Sequence, residues 1–525
     1  MSGGSGALNT GYLGGGDGLG GWLGTRDHKR IAVMFLVWSL GVFLLGLIYA
    51  LIMKLRAQSG IIDTHTYHQM LTQHGVLMVF LFVVPAIPSI LGHFVLPLQL
   101  GARNMALPGF SAWSFRFYAL GTLLFLVSLF AGPTATGWTF LTPFSLGGTG
   151  AFMVMAVGLC LSALGWLTTG VNIVVTVHTR REAGMGFFAM PLFSWGVYLA
   201  GYLLAVVGSL FAIIIIYLGL SRAFAGGIFG PGSDPLLWQN YFWFVTTPAA
   251  YFALLPAVGV ISDIVAGIAR RGGFVGYRLT VGSMIALLAL SFTTWGLRML
   301  GTGLGDGNAV VFAALNLATV VPVAIIVYCW LATLHRGAVL CVAPTTFVAA
   351  FVLQAGIGAM MGLVLASLSV GRYLANTLFV TAQSHYLMMG GVMTALLAGL
   401  HWWWPKLTGR MFRQGLGRFG AALYMVGLNM AFIPQMMQGV GGVARGTFSL
   451  PPALAGSESV SFIGVWVMIT GLVLVASNLF GSLFDGQAAG ANPWGAGSLE
   501  WQAASPPPQG NFTEAPAAGE NPYAA

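Results

Sequence analysis

Several histidines lie in or beside long apolar runs of this 525-residue chain, among them His74 in TYHQMLTQHGVLMVFLF and His385 in SHYLMMGGVMTALLAG. A polar side chain carried into a hydrocarbon layer is expensive and usually serves a function. Neutral imidazole is a good axial ligand for haem iron, and two imidazoles on separate helices could clamp one macrocycle between them. The competing reading is a pair of core histidines, each satisfied by a hydrogen bond. Arg298, in TTWGLRM, is a further polar residue in or near an apolar run. It is either a fixed cation held in a cavity or a side chain that snorkels to the interface. Cys160, Cys329 and Cys341 sit in apolar segments without ligand spacing. They read as small buried hydrophobes, not as a disulfide framework or a metal site.

The elements that must position these residues follow from composition. The chain is 57% hydrophobic and 6% charged, against about 25% charged for soluble domains. Apolar blocks fall near 31–53, 75–100, 114–132, 151–177, 188–220, 240–266, 278–300, 309–334, 342–369, 377–402, 418–440 and 460–482. Each is long enough to cross a hydrocarbon core of roughly 30 Å as a helix, whereas barrel strands would be about ten residues long and alternating. The expected fold class is an all-α membrane protein, a bundle of about twelve transmembrane helices. Residues 1–25 read as a flexible N-terminal segment and 26–483 as the membrane domain. Residues 484–525, rich in Pro, Gly and Ala, read as a disordered tail. The first apolar block is too long for a signal peptide and reads as a spanning helix. With the N-terminus in the cytoplasm, 15 of the 21 Lys and Arg fall on that side, which predicts both termini inside. The net charge of +9 is spread over short loops; the partner it implies is the lipid bilayer and not nucleic acid.

Four stretches carry a family resemblance: RDHKRIAVMFL (26–36), TYHQMLTQHGVLMVFLFVVPAIPSILGHFVLPLQLGARNMALP (66–108), NIVVTVHTRREAGMGFFAMPLFSW (172–195) and SHYLMMGGVMTALLAGLHWWWPKLTGRM (384–411). In these the chain resembles subunit I of the haem-copper respiratory oxidases, of which cytochrome c oxidase is one. The resemblance implies a twelve-helix bundle around a low-spin haem and, normally, a high-spin haem facing a copper. His74 and His385 match the family's axial ligands to the low-spin haem. Arg445, in GGVARG, matches the first of an arginine pair that meets haem propionates, the second being Gly446 here, and Lys54 stands near another family arginine.

The same resemblance marks losses. Where the family carries His-Phe-His on the tenth helix, this chain reads Gln383-Ser384-His385. Residues two apart on a helix face nearly opposite sides, so the side that would hold a high-spin haem has lost its ligand. The family's His-Pro-Glu-Val-Tyr corresponds to Thr247-Pro248-Ala249-Ala250-Tyr251, and its His-His pair to Leu297-Arg298. All three copper-binding imidazoles are absent, and neither Thr, Leu nor Arg replaces them. Tyr251 then reads as a hydrogen-bonded core tyrosine. The family's proton-path residues appear as Ala249, Asn104 and Ile326, its His-Asp pair near magnesium as Ala375-Asn376, and all twelve acidic residues fall in loops, termini or span ends.

The expectation is a catalytically degenerate subunit I homologue in a bacterial inner membrane. It keeps one low-spin haem of type a or b, without copper or a high-spin haem. It acts as an electron-transfer or structural subunit beside subunit II- or III-like proteins and a competent subunit I. The alternatives are an active oxidase or gas reductase with an altered binuclear site, and a haem-free scaffold or transporter.

Overall fold

The computed structural model describes residues 11–14, 18–59, 62–147, 150–300, 302 and 305–516. Among them, ten helices are long and apolar enough to cross a membrane. They are α1 (His28–Ser59), α2 (Thr64–Gln99), α3 (Pro108–Ser128), α4 (Ala151–Thr179), α5 (Leu192–Ala223), α6 (Pro235–Ala269), α8 (Asp306–Leu334), α9 (Ala343–Ala366), α11 (Gln414–Val440) and α12 (Ala455–Asp485). The two other expected blocks are helical as well. The first, α7 (Tyr277–Ser291), is short and is followed by a 3-10 turn, Trp295–Met299. The second, α10, runs over 378–408 in two α-helical pieces joined by a π-helical one, Met388–Met393. The up-and-down order brings both termini to one end of the bundle, called here the termini end.

Hydrocarbon gives no hydrophobic drive for helices to associate, so close packing must supply it. Glycines supply the approach. A Cβ on Gly121 of α3 would overlap the Gly158 carbonyl of α4, and one on Gly427 of α11 would overlap the Met468 nitrogen of α12.

Of the ten, helix α2 is the most deeply buried. It contains Pro85, Pro88 and Pro97 and relaxes into π turns over Leu77–Val83 and Ile87–Gly92. Proline removes a helical donor and crowds the preceding turn, and local π geometry is one way to absorb that. In both α2 and α10 a π segment begins three residues after the histidine that the sequence singles out, at Leu77 after His74 and at Met388 after His385.

Two expectations about the ends are corrected. In the described part of the tail, 486–516 is packed against the termini end. Trp494 stacks on Trp402 at 5.2 Å and donates to its carbonyl, and Trp501 meets the same ring edge-on. Glu500 is buried, accepting from Gln99 of α2 and from Trp403 of α10. Further along, Asn511 receives Lys29 Nζ at 2.8 Å, meets His28 Nε2 at 3.1 Å and donates to the Ala102 carbonyl. These few large or polar anchors, spaced through Pro, Gly and Ala, dock a segment whose average composition suggests disorder. In the N-terminal segment, Tyr12 is buried with its hydroxyl on the Leu407 carbonyl, and Gly18–Leu23 is a helical turn. Residues 1–10, 15–17 and 517–525 of the two expected flexible regions lie outside the described residues.

Two outcomes follow for the tail. Asn511→Ala strips partners from buried His28 and Lys29 and should cost about 1–3 kcal/mol in thermal unfolding, with faster proteolysis within 486–516. Burial pushes the Glu500 carboxyl above its ordinary value, so the docked tail holds that proton more tightly than the free tail does. Docking should therefore be strongest below the ordinary glutamate range, about 4.3, and weaken as pH rises through the raised value. Glu500→Gln should flatten this dependence in hydrogen exchange of 494–503, corrected for the intrinsic rate at each pH.

Candidate functional site: a paired-imidazole centre

Helices α2 and α10 bring His74 and His385 together with their rings near-parallel. Their ring centroids are 6.4 Å apart and their planes differ by 15°. Each Nδ1 is committed to a backbone carbonyl: His74 to Gly46 of α1 at 2.9 Å, and His385 to Thr381, one turn back on its own helix, at 2.8 Å. A carbonyl only accepts, so Nδ1 carries the proton in both rings and each Nε2 keeps a lone pair. No described residue makes a hydrogen bond to either Nε2. This is the arrangement by which a second hydrogen bond fixes tautomer and orientation and leaves the other nitrogen for a metal.

The spacing fits a bis-imidazole iron. With metal–nitrogen bonds of about 2 Å and each centroid roughly 1 Å behind its nitrogen, two rings on opposite faces of one iron stand about 6 Å apart, centroid to centroid. Phe432 of α11 stacks on His385 at 4.3 Å and 20°, bracing its orientation. A Cβ on Gly75 would stand 2.5 Å from the Trp138 side chain, so that indole closes over the turn carrying His74. Neither Phe432 nor the Gly46 carbonyl is singled out by sequence. A carbonyl leaves no sequence signal, and Phe432 is one of 36 phenylalanines.

The basic residues separate into two groups. Arg445 is tied through its backbone to the start of α10, donating to the Asn376 carbonyl at 2.9 Å beside a Thr377–Ala444 bridge. The helix start beside that anchor, Leu378, lies about 10 Å along the axis from His385. Arg298 lies in the 3-10 turn after α7 with its guanidinium 5.6 Å from the Trp243 ring, within electrostatic range of Arg445 and Tyr251. Lys54, in contrast, is paired within the chain, with Glu458 at 3.1 Å and Ser461 at 2.8 Å. It reaches His385 only as a charge at a distance.

The positions expected to have lost ligands are buried or half-buried in the bundle. Gln383 Oε1 and Thr247 Oγ1 are both buried without a hydrogen-bond partner among the described residues, and Leu297 is half-buried. Ala249 and Ile326 are buried among apolar side chains, while Asn104 bonds to the Arg26 carbonyl at the termini end. Among the described residues, no three His, Cys, Asp or Glu side chains converge as a metal-binding group.

Comparison with known proteins gives one consistent family. The model described as "Cytochrome C and Quinol oxidase polypeptide I" matches residues 30–476. Cytochrome c oxidase subunit 1 of Synechocystis sp. is 32% identical over 503 residues, 95% of this chain and 91% of that protein. The Bacillus subtilis subunit of the same name is 31% identical over 94% of this chain and 81% of its own length. Quinol oxidase subunit 1 of Bacillus spizizenii is 28% identical over 94% and 78%. In fold, the chain is similar to a haem-copper terminal oxidase dimer solved by cryo-EM, with a TM-score of 0.74 and 19% identity over 87% of this chain and 84% of that one.

The pairing of Lys54 yields a test. Lys54→Met leaves Glu458 uncompensated in a largely buried setting and should cost about 3 kcal/mol in thermal unfolding. Adding Glu458→Gln should recover most of that loss.

Proposed function

We propose, for a chain that belongs to the cytochrome c and quinol oxidase polypeptide I family, that it is a one-haem electron-transfer or structural subunit without oxygen chemistry of its own. The family makes it an integral multi-pass membrane protein of the respiratory type, and family members bind haem. The observation that carries the narrower reading is the His74–His385 pair, set near-parallel 6.4 Å apart with both Nδ1 atoms satisfied. A haem bound there would supply one-electron chemistry between ferric and ferrous iron. His74 and His385 would hold it through their uncommitted Nε2 atoms. Arg445 would answer a propionate, and Lys54, neutralised by Glu458, would act only through its residual field.

The absence of oxygen chemistry rests on side-chain identity. Gln383, Thr247, Leu297 and Arg298 present no imidazole where the family resemblance places four, and copper of this kind is held by imidazole nitrogen. Proton pumping by the family route is likewise unsupported, because Ala249 and Ile326 cannot carry a proton. Subunit II- or III-like proteins, and a competent subunit I, are the partners that such a role needs. The cytoplasmic membrane of a bacterium with both termini inside is the setting that the basic-residue bias supports.

Purified protein should show one haem per chain and a low-spin reduced-minus-oxidised spectrum that carbon monoxide does not perturb. His74→Ala or His385→Ala should abolish that spectrum. A stoichiometric CO-sensitive haem would overturn the proposal in favour of an active, altered binuclear site, and haem-free wild-type protein would overturn it in favour of a scaffold. If Arg298 acts as a fixed cation toward a propionate, Arg298→Met should lower the midpoint potential by tens of millivolts, about 1 kcal/mol on the ferrous state; a snorkelling side chain would leave it unchanged.

A further inference from the structure

On the flank of the bundle away from the imidazole pair, α5 and α7 leave a lateral groove of about 640 Å³. One wall is a single stripe of α5: Trp195, Tyr198, Tyr202 and Val206, with Leu199 and Leu203 between them. The other is the α7 stripe Ile285 and Leu288, with Phe292 beyond its end; Phe187 and Phe188 close the groove at the termini end. Tyr202, Val206, Ile285 and Phe188 are exposed, so the groove opens sideways, toward lipid.

Three features say what fits it. First, the stripe from Trp195 to Val206 runs about 17 Å along the helix axis, roughly half of a ~30 Å hydrocarbon layer. The occupant therefore reaches through one leaflet. Second, the polar atoms in the wall are already used. Tyr198 and Tyr202 bond to each other at 3.0 Å and to His178 Nε2 at 2.9 and 3.3 Å, while Trp195 Nε1 donates to the Phe187 carbonyl and to Tyr277. What remains is ring and methyl surface, suited to an acyl chain and not to a head group that needs hydrogen bonds deep in the slot. Third, the mouth is cationic. Arg181 lies 3.8 Å from the Phe187 ring centroid and Arg278 lies 5.7 Å from that of Phe188. Basic pockets between spans at such a surface favour anionic head groups.

We infer that this groove is a binding site for an anionic phospholipid, its acyl chain lying along the α5 and α7 stripes and its phosphate at Arg181 and Arg278. Arg181 is steadied for this by its Nε bond to the Val177 carbonyl at 2.9 Å, whereas Arg278 is exposed and free to reach outward.

The test uses the protein purified with whatever subunits accompany it and exchanged into vesicles of equal phosphatidylglycerol and phosphatidylcholine. Lipid retained after mild detergent extraction is then counted by native mass spectrometry. Phosphatidylglycerol should be enriched roughly thirty-fold over phosphatidylcholine, the scale of two basic side chains each favouring an anion. Arg181→Gln/Arg278→Gln should bring the two lipids to parity, and Ile285→Trp, which fills the slot, should lower retention of both. Arg278→Gln alone changes an exposed side chain, keeps the fold, and should reduce the preference partway. Equal retention by the wild-type protein, no retention of either lipid, an undiminished preference in the double variant, or displacement of the lipid by an isoprenoid quinone would each overturn the assignment.

Discussion

A hydrocarbon layer offers no hydrogen-bond partner, so each polar side chain that this chain carries into its bundle must be met from within or find a use for what is left over. The two imidazoles show the constraint most directly. Each spends one nitrogen on a helix carbonyl, Gly46 or Thr381, and the bond that makes it tolerable also fixes the ring. The Nδ1 bonds leave each Nε2 with its lone pair uncommitted, and the carbonyls that fix the rings are held by their helices. Burial cost and ligand geometry thus have the same origin.

That constraint also separates the two sides of α10. On the His385 side, stacking by Phe432 and the approach of His74 give each group a defined neighbour. On the other side, the amide oxygen of Gln383 and, on α6, the hydroxyl of Thr247 are enclosed with no hydrogen-bond partner among the described residues. Enclosed polar atoms of that kind cost about 1–3 kcal/mol each, and the tight glycine contacts between neighbouring spans help to offset them. The two regions share α10, yet only the first pairs two imidazoles across neighbouring helices.

Sequence alone made the bundle legible, because twelve apolar blocks set by bilayer thickness leave few alternatives. His74 and His385 were visible for the same reason: imidazoles stand out in apolar sequence, and family resemblance placed them. What could not be read was whatever depends on backbone or on long-range pairing. The Gly46 carbonyl has no side-chain signature, and the link from Lys54 to Glu458 spans 404 positions. The tail misled because composition averages over residues. Trp494, Glu500, Trp501 and Asn511 are a small minority of a Pro-, Gly- and Ala-rich segment, but they are the ones that touch the helices. The short helix α7 lay inside an apolar block whose length hid the 3-10 turn holding Arg298.

The π segment Met388–Met393 makes α10 a geared shaft. A π turn accommodates about one residue more than an α turn, so everything after it is rotated by roughly 100° relative to an uninterrupted helix. Before the segment, the shaft sets the direction of His385; after it, the shaft sets the directions of Trp402, Trp403 and Lys406, which grip Trp494, Glu500 and the Ala491 carbonyl of the tail. Loss of a single residue within the segment would turn one end against the other. The chain could then keep its imidazole pair or its tail contacts in register, but not both, and this one-residue tolerance ties the length of α10 to features at opposite ends of the bundle.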